Sequence, residues 1–202
     1  DVSVEEGFTY YWRHTHEEVI DAAAEVINLL LGDRAWPFDF LVENQWWPGF
    51  TFTMPALTRR LLDGIQYENK GIMLDTGHLM NANLELRTQE EGADWVSRML
   101  EEHGGLGSMV RGIHLHQSLS GAYVKAHTGS LPDPWPVDYA EQFCQSYQHI
   151  LSIDTHRPWT TPAVRALVER IAPEWLVHEL SAANRAERDK RLEIQSRALG
   201  VL

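Results

Sequence analysis

Cysteine is nearly missing from this chain. Cys144 stands alone among 202 residues, so no internal disulfide and no thiolate metal cage can form. A single thiol fits a reducing, cytoplasmic compartment. No run of about 18 apolar residues occurs, so no transmembrane helix is expected. The opening "DVSVEEGFTYYW" has neither the basic nor the apolar region of a signal peptide. It also lacks an initiator methionine, so the chain is expected to be processed, tagged or cut from something longer. Positive charge is scarce: 17 Lys and Arg face 29 Asp and Glu, a formal charge of −12. That balance opposes a phosphate-backbone partner, so nucleic acid is not the expected ligand. Short-period repeats, low-complexity tracts and interdomain linkers are absent, and residues 1–202 read as one domain.

What is present points to a folded core. The apolar fraction is 44% with eight tryptophans, which excludes a disordered chain. A helix pattern followed by a short apolar run recurs. "THEEVIDAAAEVINLLLG" opens with the capping box Thr15 and Glu18 and closes at Gly32. "DFLVEN" then reads as a buried strand ending at Glu43. A helix near "MPALTRRLLDG" leads to the strand "GIML" ending at Asp75 and a tight turn. "TQEEGADWVSRMLEEHGG", capped by Thr88 and Glu91, precedes the strand "RGIHLHQS". A polar and aromatic excursion over 117–135 follows, then the helix "VDYAEQFCQSYQHIL", with "HILSID" a doubtful fifth strand. "TTPAVRALVERIA" has Thr161 as N-cap and Pro162 at the first helical position. The strand "EWLVHEL" and a charged helix from about Ser181 to Leu199 end the chain. Helices alternating with two-sided apolar strands predict an α/β fold with a parallel sheet.

Each clear strand ends in a metal-capable side chain: Glu43, Asp75, His114 and Glu179. The carboxyl ends of parallel strands open on one face, so these four are expected to converge. One acidic residue after a strand is ordinarily a turn or cap residue; four strands ending this way are hard to produce by capping. Carboxylates buried close together repel one another and lose solvation unless a cation lies among them. The donor set suits Mn, Zn, Co or Mg. Asp75 and His78 form a D-x-x-H pair, and Asp154 with His156 forms D-x-H. Either pair alone also reads as a surface His–Asp contact. His14, His16, His103 and His149 lie on or beside helices and read as surface or packing residues, and alternation turns His178 toward the helices.

These motifs, "FLVEN", "MLDTGH", "GIHLHQS" and "LVHEL", resemble strands five to eight of the xylose isomerase-like TIM barrels. That superfamily of sugar isomerases and epimerases also contains the zinc-dependent apurinic endonuclease. The likeness covers roughly residues 36 to 199. It implies a (β/α)₈ barrel of which this chain carries the C-terminal half. A whole barrel takes about 250 residues. The remaining strands are therefore expected from an absent N-terminal segment or another copy of the chain. The resemblance makes Glu43, Asp75, His114 and Glu179 ligands of a divalent metal ion. Glu43 and Glu179 would also exchange a proton beside a bound carbonyl, with His78 hydrogen-bonding its oxygen. His78, Asp154 and His156 resemble the additional zinc ligands of the endonuclease branch, although the gap from His114 to Asp154 is longer than that branch shows. "VKAH" offers His127 for the same role, with Lys125 where an aspartate is needed.

Trp46 and Trp47, in "ENQWWPGF", follow Glu43 where indoles can cover a sugar face, or anchor the loop by packing. Trp135 and Trp159 can build the pocket wall. His116 and His127 are further candidates to touch substrate, His116 alternatively as a packed histidine. The expected activity is a metal-dependent isomerase or epimerase acting on a sugar or sugar phosphate. The alternatives are a zinc-dependent phosphodiesterase acting on abasic DNA, and a non-catalytic sugar-binding barrel.

Overall fold

The computed structural model describes residues 2–202. Among these, nine α-helices and four strands alternate along the chain. The helices are α1 (Val4–Thr9), α2 (His16–Leu31), α3 (Pro55–Gly64), α4 (Thr76–Asn81), α5 (Gln89–His103), α6 (Gly121–His127), α7 (Tyr139–Ile153), α8 (Ala163–Ile171) and α9 (Arg185–Leu199). The strands are β1 (Phe40–Glu43), β2 (Lys70–Asp75), β3 (Val110–Leu115) and β4 (Trp175–His178), and a 3₁₀ turn over Gly104–Met109 enters β3. The sheet runs β1-β2-β3-β4 with every pairing parallel. That order requires a crossover between each pair, which helices supply.

Local chemistry accounts for the helix starts. Thr15 with Glu18 and Thr88 with Glu91 form complete capping boxes, each satisfying two otherwise orphaned N–H groups. A further box, Ser3 with Glu6, opens α1. Four details differ from the sequence reading. "HILSID" is the last turn and exit of α7, because Asp138 caps that helix and three apolar residues cannot outweigh a run of 15. Helix α8 begins at Ala163 with Pro162 as N-cap residue, so Thr161 lies one place outside. Asn184 caps α9, whose charged run starts at Arg185 rather than Ser181. The excursion at 117–135 contains α6.

Alternation divides the sheet into two unlike faces. Ile72, Leu74, Ile113 and Leu115 are fully buried beneath the helices. They pack with Ile20 and Ile27 of α2, Leu57 and Leu61 of α3, Val96 and Met99 of α5, and Val164 and Leu167 of α8. Leu41, Glu43, Met73, Asp75, His114, Trp175, Val177 and Glu179 share the opposite parity. Leu41 and Met73 lie against Gly71 and Gly112 there. This second face is open: Trp175 is 40% and Val177 43% exposed. The strands are therefore not uniformly two-sided and buried. β1 is half-buried along its length, β4 alternates exposed and half-buried, and both are edge strands with one unpaired side. Among the described residues, no helix is long and apolar enough to cross a membrane.

Candidate metal centre

Glu43, Asp75, His114 and Glu179 all lie on the open face at the carboxyl ends of β1, β2, β3 and β4. One ligand atom from each falls within 4.8 Å of every other. Asp75 is fully buried and does two jobs. It ends β2 and also caps α4, its Oδ1 accepting the His78 N–H at 2.7 Å. Asn44 locks the neighbouring strand end: its side chain donates to the Asp75 carbonyl at 3.1 Å and accepts the Asp75 N–H at 2.8 Å.

His114 Nδ1 stands amid three carboxylates, 2.9 Å from Glu43 Oε1, 3.0 Å from Glu179 Oε2 and 3.8 Å from Asp75 Oδ2. A ring nitrogen carries at most one proton. It is directed to Glu43, and Glu179 Oε2 is left buried with no hydrogen bond. The flanking Glu179 and Glu43 carboxylates push the His114 pKa up to about 10. His114 and His156 hold the Glu179 carboxyl well below its usual range. One proton serving two carboxylates, with a third alongside, is the donor set a divalent cation satisfies. The residues fit such an ion.

A second group adjoins the first. His78 donates from Nδ1 to the Asn44 carbonyl at 2.9 Å and sets Nε2 3.2 Å from Asp154 Oδ2. Burial alone would lower its pKa, but Asp154 and then Asp75 outweigh it and raise it to about 9. Both ring nitrogens are thus engaged, and Trp46 covers the ring at 4.9 Å between centroids. Asp154 ends α7, and its Oδ2 is also 3.2 Å from His156 Nε2. Burial opposes ionisation of Asp154, yet the His78 hydrogen bond brings its pKa below the ordinary value. His156 has φ of +44°, a left-handed conformation that costs a non-glycine residue energy and gathers at functional sites. In that pose its Nε2 lies 3.6 Å from Glu179 Oε1, a contact that raises its pKa. The long segment before Asp154 therefore does not keep the D-x-H pair from the strand ends.

His116 is fully buried, its Nε2 3.0 Å from Asp75 Oδ2. Gly77 makes room for it, since a Cβ there would collide with the imidazole. Thr76 Oγ1 at 2.6 Å and Trp159 Nε1 at 2.9 Å both donate to the His116 carbonyl. Trp159 is thus a buried brace behind the site. Trp47 leans on Trp46 at 4.3 Å and lines a cavity of about 470 Å³ that includes Glu43, Val42, Ile20, Phe143 and Tyr147. His127 is placed elsewhere. It stacks on Tyr123 and borders a different cavity with Phe8 and His149. Trp135 sits edge-on to Phe8 and is likewise not gathered with the strand ends. His178 turns to the helix side and meets Gln195 of α9 at 2.8 Å.

Sequence reasoning missed Asn44 and Gly77. The signal for Asn44 was a second polar residue directly after a strand-end glutamate. Gly77 carried none, because its need arises from a ring 39 positions away. Fold and site together define an α/β protein with a candidate divalent-cation centre at the ends of a parallel sheet. Compared with known proteins, the chain matches no protein-family model and no curated protein.

Proposed function

We propose that these four strands are half of a xylose isomerase-like (β/α)₈ barrel and that the protein is a metal-dependent isomerase or epimerase of a sugar or sugar phosphate. The observation that carries this reading is the convergence of Glu43, Asp75, His114 and Glu179 on one face of the sheet. Those four residues would hold a Mn, Zn, Co or Mg ion, which when bound supplies Lewis-acid polarisation of a substrate carbonyl. The chain's own groups supply the proton transfer. Glu43 and Glu179 approach from the two edge strands, so a carbon lying between them meets a carboxylate on each side. One glutamate takes the proton from the carbon beside the carbonyl. The other returns a proton to the opposite face for epimerisation, or to the neighbouring carbon for isomerisation. Trp46 and Trp47 offer flat apolar walls beside Glu43; Asn44 fixes the Asp75 backbone, and His116 with the His78 N–H holds its carboxylate.

Deuterium incorporation tests it. The protein incubated with aldoses, ketoses and their phosphates in D₂O with Mn²⁺, Co²⁺ or Zn²⁺ should exchange hydrogen at the carbon next to the carbonyl. Glu43→Gln and Glu179→Gln should each slow exchange by about 10²-fold or more. Retention of full exchange in both variants would sink the roles given to Glu43 and Glu179, and no exchange by the parent protein with any of these sugars would favour a sugar-binding role. Asp154, drawn between His78 and His156, favours a second reading, phosphodiester cleavage at abasic DNA. The charge of −12 opposes it. Scission of an abasic-site oligonucleotide without deuterium exchange would select that reading instead.

A further inference from the structure

Glu43 and Trp47 line a cavity of about 470 Å³ that none of Asp75, His114 and Glu179 borders. It thus adjoins the strand-end centre at one carboxylate and runs on to Val19 and Ala23 of α2 and to Phe143 and Tyr147 of α7. Among the described residues on its walls, Glu43 is the one charged side chain, and no Lys or Arg occurs. A space of this size with mainly apolar walls and few polar groups has the ordinary form of a small-molecule site. Phe143 and Tyr147 are 54% and 55% exposed. Their rings lie parallel to within 8°, 6.3 Å between centroids. Covering two large rings left side by side in water is favourable.

The chemistry of the walls decides what fits. A phosphate would meet no counter-charge there and would stand beside the Glu43 carboxylate, in a chain of formal charge −12. Coulomb repulsion opposes that arrangement. An aryl or alkyl group instead meets apolar side chains on both helices. Apolar voids of about 150 Å³ already hold benzene, so a benzyl-sized group has room. We infer that this cavity is the subsite for an apolar substituent of the substrate, which is then a neutral sugar bearing an aryl or alkyl group and not a sugar phosphate. The subsite deepens the isomerase or epimerase reading and rests on it, because Glu43 sets the reacting carbon at the cavity's edge. Each CH₂ buried there is worth about fourfold in affinity.

A substituent series that holds the carbonyl end constant tests it. Glucose and fructose are each compared with their 6-deoxy, 6-O-benzyl and 6-phosphate forms by deuterium exchange in D₂O with Mn²⁺. Binding of glucitol and 6-O-benzylglucitol, which have no carbonyl, is measured by calorimetry and reads the subsite apart from the reaction. The benzyl forms should exceed the parent sugars at least about tenfold in kcat/KM and in affinity, and the phosphates should fall below them. Ala23→Phe, at a half-buried wall position, fills the space and should bring both benzyl ratios to within about twofold of one. Phe143→Ser, at an exposed position, should shrink the same ratios and carries the test where Ala23→Phe does not fold. Equal rates along the series, or a preference for the phosphates, overturn the subsite and leave the isomerase reading in place. So does a crystal structure with a protein strand filling the cavity. A benzyl preference in binding that Ala23→Phe abolishes, without exchange of any sugar, keeps the subsite as that of a sugar-binding protein and overturns the isomerase reading. Neither exchange nor benzyl preference overturns both.

Discussion

Replacing Gly77 with alanine adds one methyl group and strikes at the centre's packing. The new Cβ would lie 2.8 Å from His116 Nε2 and closer still to Cε1 and Nδ1. The ring cannot step aside. Its carbonyl is held by Thr76 and Trp159, Asp75 holds its Nε2, and it is wholly buried. Overpacking a rigid site costs about 1–3 kcal/mol, and displacing the ring from the Asp75 carboxylate adds about 1–2 kcal/mol. A loss of about 2–5 kcal/mol in a chain of this size lowers the melting temperature by roughly 4–20 °C. Calorimetry of the metal-stripped protein gives the shift directly. The double variant Gly77→Ala with His116→Ala removes the clash, so it should be more stable than the two single losses added together, by about 1 kcal/mol or more. A Gly77→Ala protein melting within a degree of the parent, or strict additivity in the cycle, would refute this account of the site.

Three other perturbations follow from the same geometry. Without metal, His78 and His114 have folded pKa values raised to about 9 and about 10. The stability they contribute is complete below the unfolded value of about 6.5 and is lost as pH rises through 9–10. The metal-stripped protein should therefore melt progressively lower from pH 7 to 10, and a flat profile by calorimetry would contradict the pairing. Arg111 contacts Asp39 at 2.8 Å and Glu174 at 2.7 and 3.0 Å, and stacks over Trp175 at 5.3 Å. Arg111→Ala should cost about 1–2 kcal/mol in urea unfolding with zinc content unchanged; loss of bound zinc would show that this end of the sheet also shapes the site. Trp46→Ala uncovers His78 and should raise KM by about tenfold with a smaller change in kcat, so a kcat collapse at constant KM would assign Trp46 a different role.

Much of the site was legible because strands announce their ends. Four apolar runs stop at Glu43, Asp75, His114 and Glu179, and a parallel sheet leaves those ends nowhere else to go. The capping boxes at Thr15 and Thr88 were equally plain, since both partners lie within four residues. Less legible was anything decided by contacts far apart in sequence. His116 ranked as a packed or substrate-touching histidine until Gly77 and Asp154 were seen around it. His127 sits in a sequence context as suggestive as that of His156, yet α6 points it at Tyr123, while a left-handed backbone at His156 turns that ring inward. The burial of β1 and β4 was overstated because their apolar content does not reveal that both are edges.

The geometry of the edges bears on what the sheet is part of. Flat parallel strands lie about 4.8 Å apart, which would put β1 and β4 about 14 Å from each other. Their glutamates nevertheless approach the same nitrogen of His114, at 2.9 and 3.0 Å. A sheet curled toward its open face, the face carrying Trp175 and Val177 half-exposed, would bring the two there together. Parallel sheets are seldom left bare on one side, and one bare on its inner side is what the half-barrel proposal requires. This supports the half-barrel proposal on grounds separate from the motifs. The convergence also sets the electrostatic problem, because it brings Glu43 and Glu179 together beside Asp75. The His114 proton can answer only one of them. A divalent ion at that point answers all three carboxylates and frees the His114 nitrogen to become its ligand, which ties the shape of the sheet to the chemistry proposed at its ends.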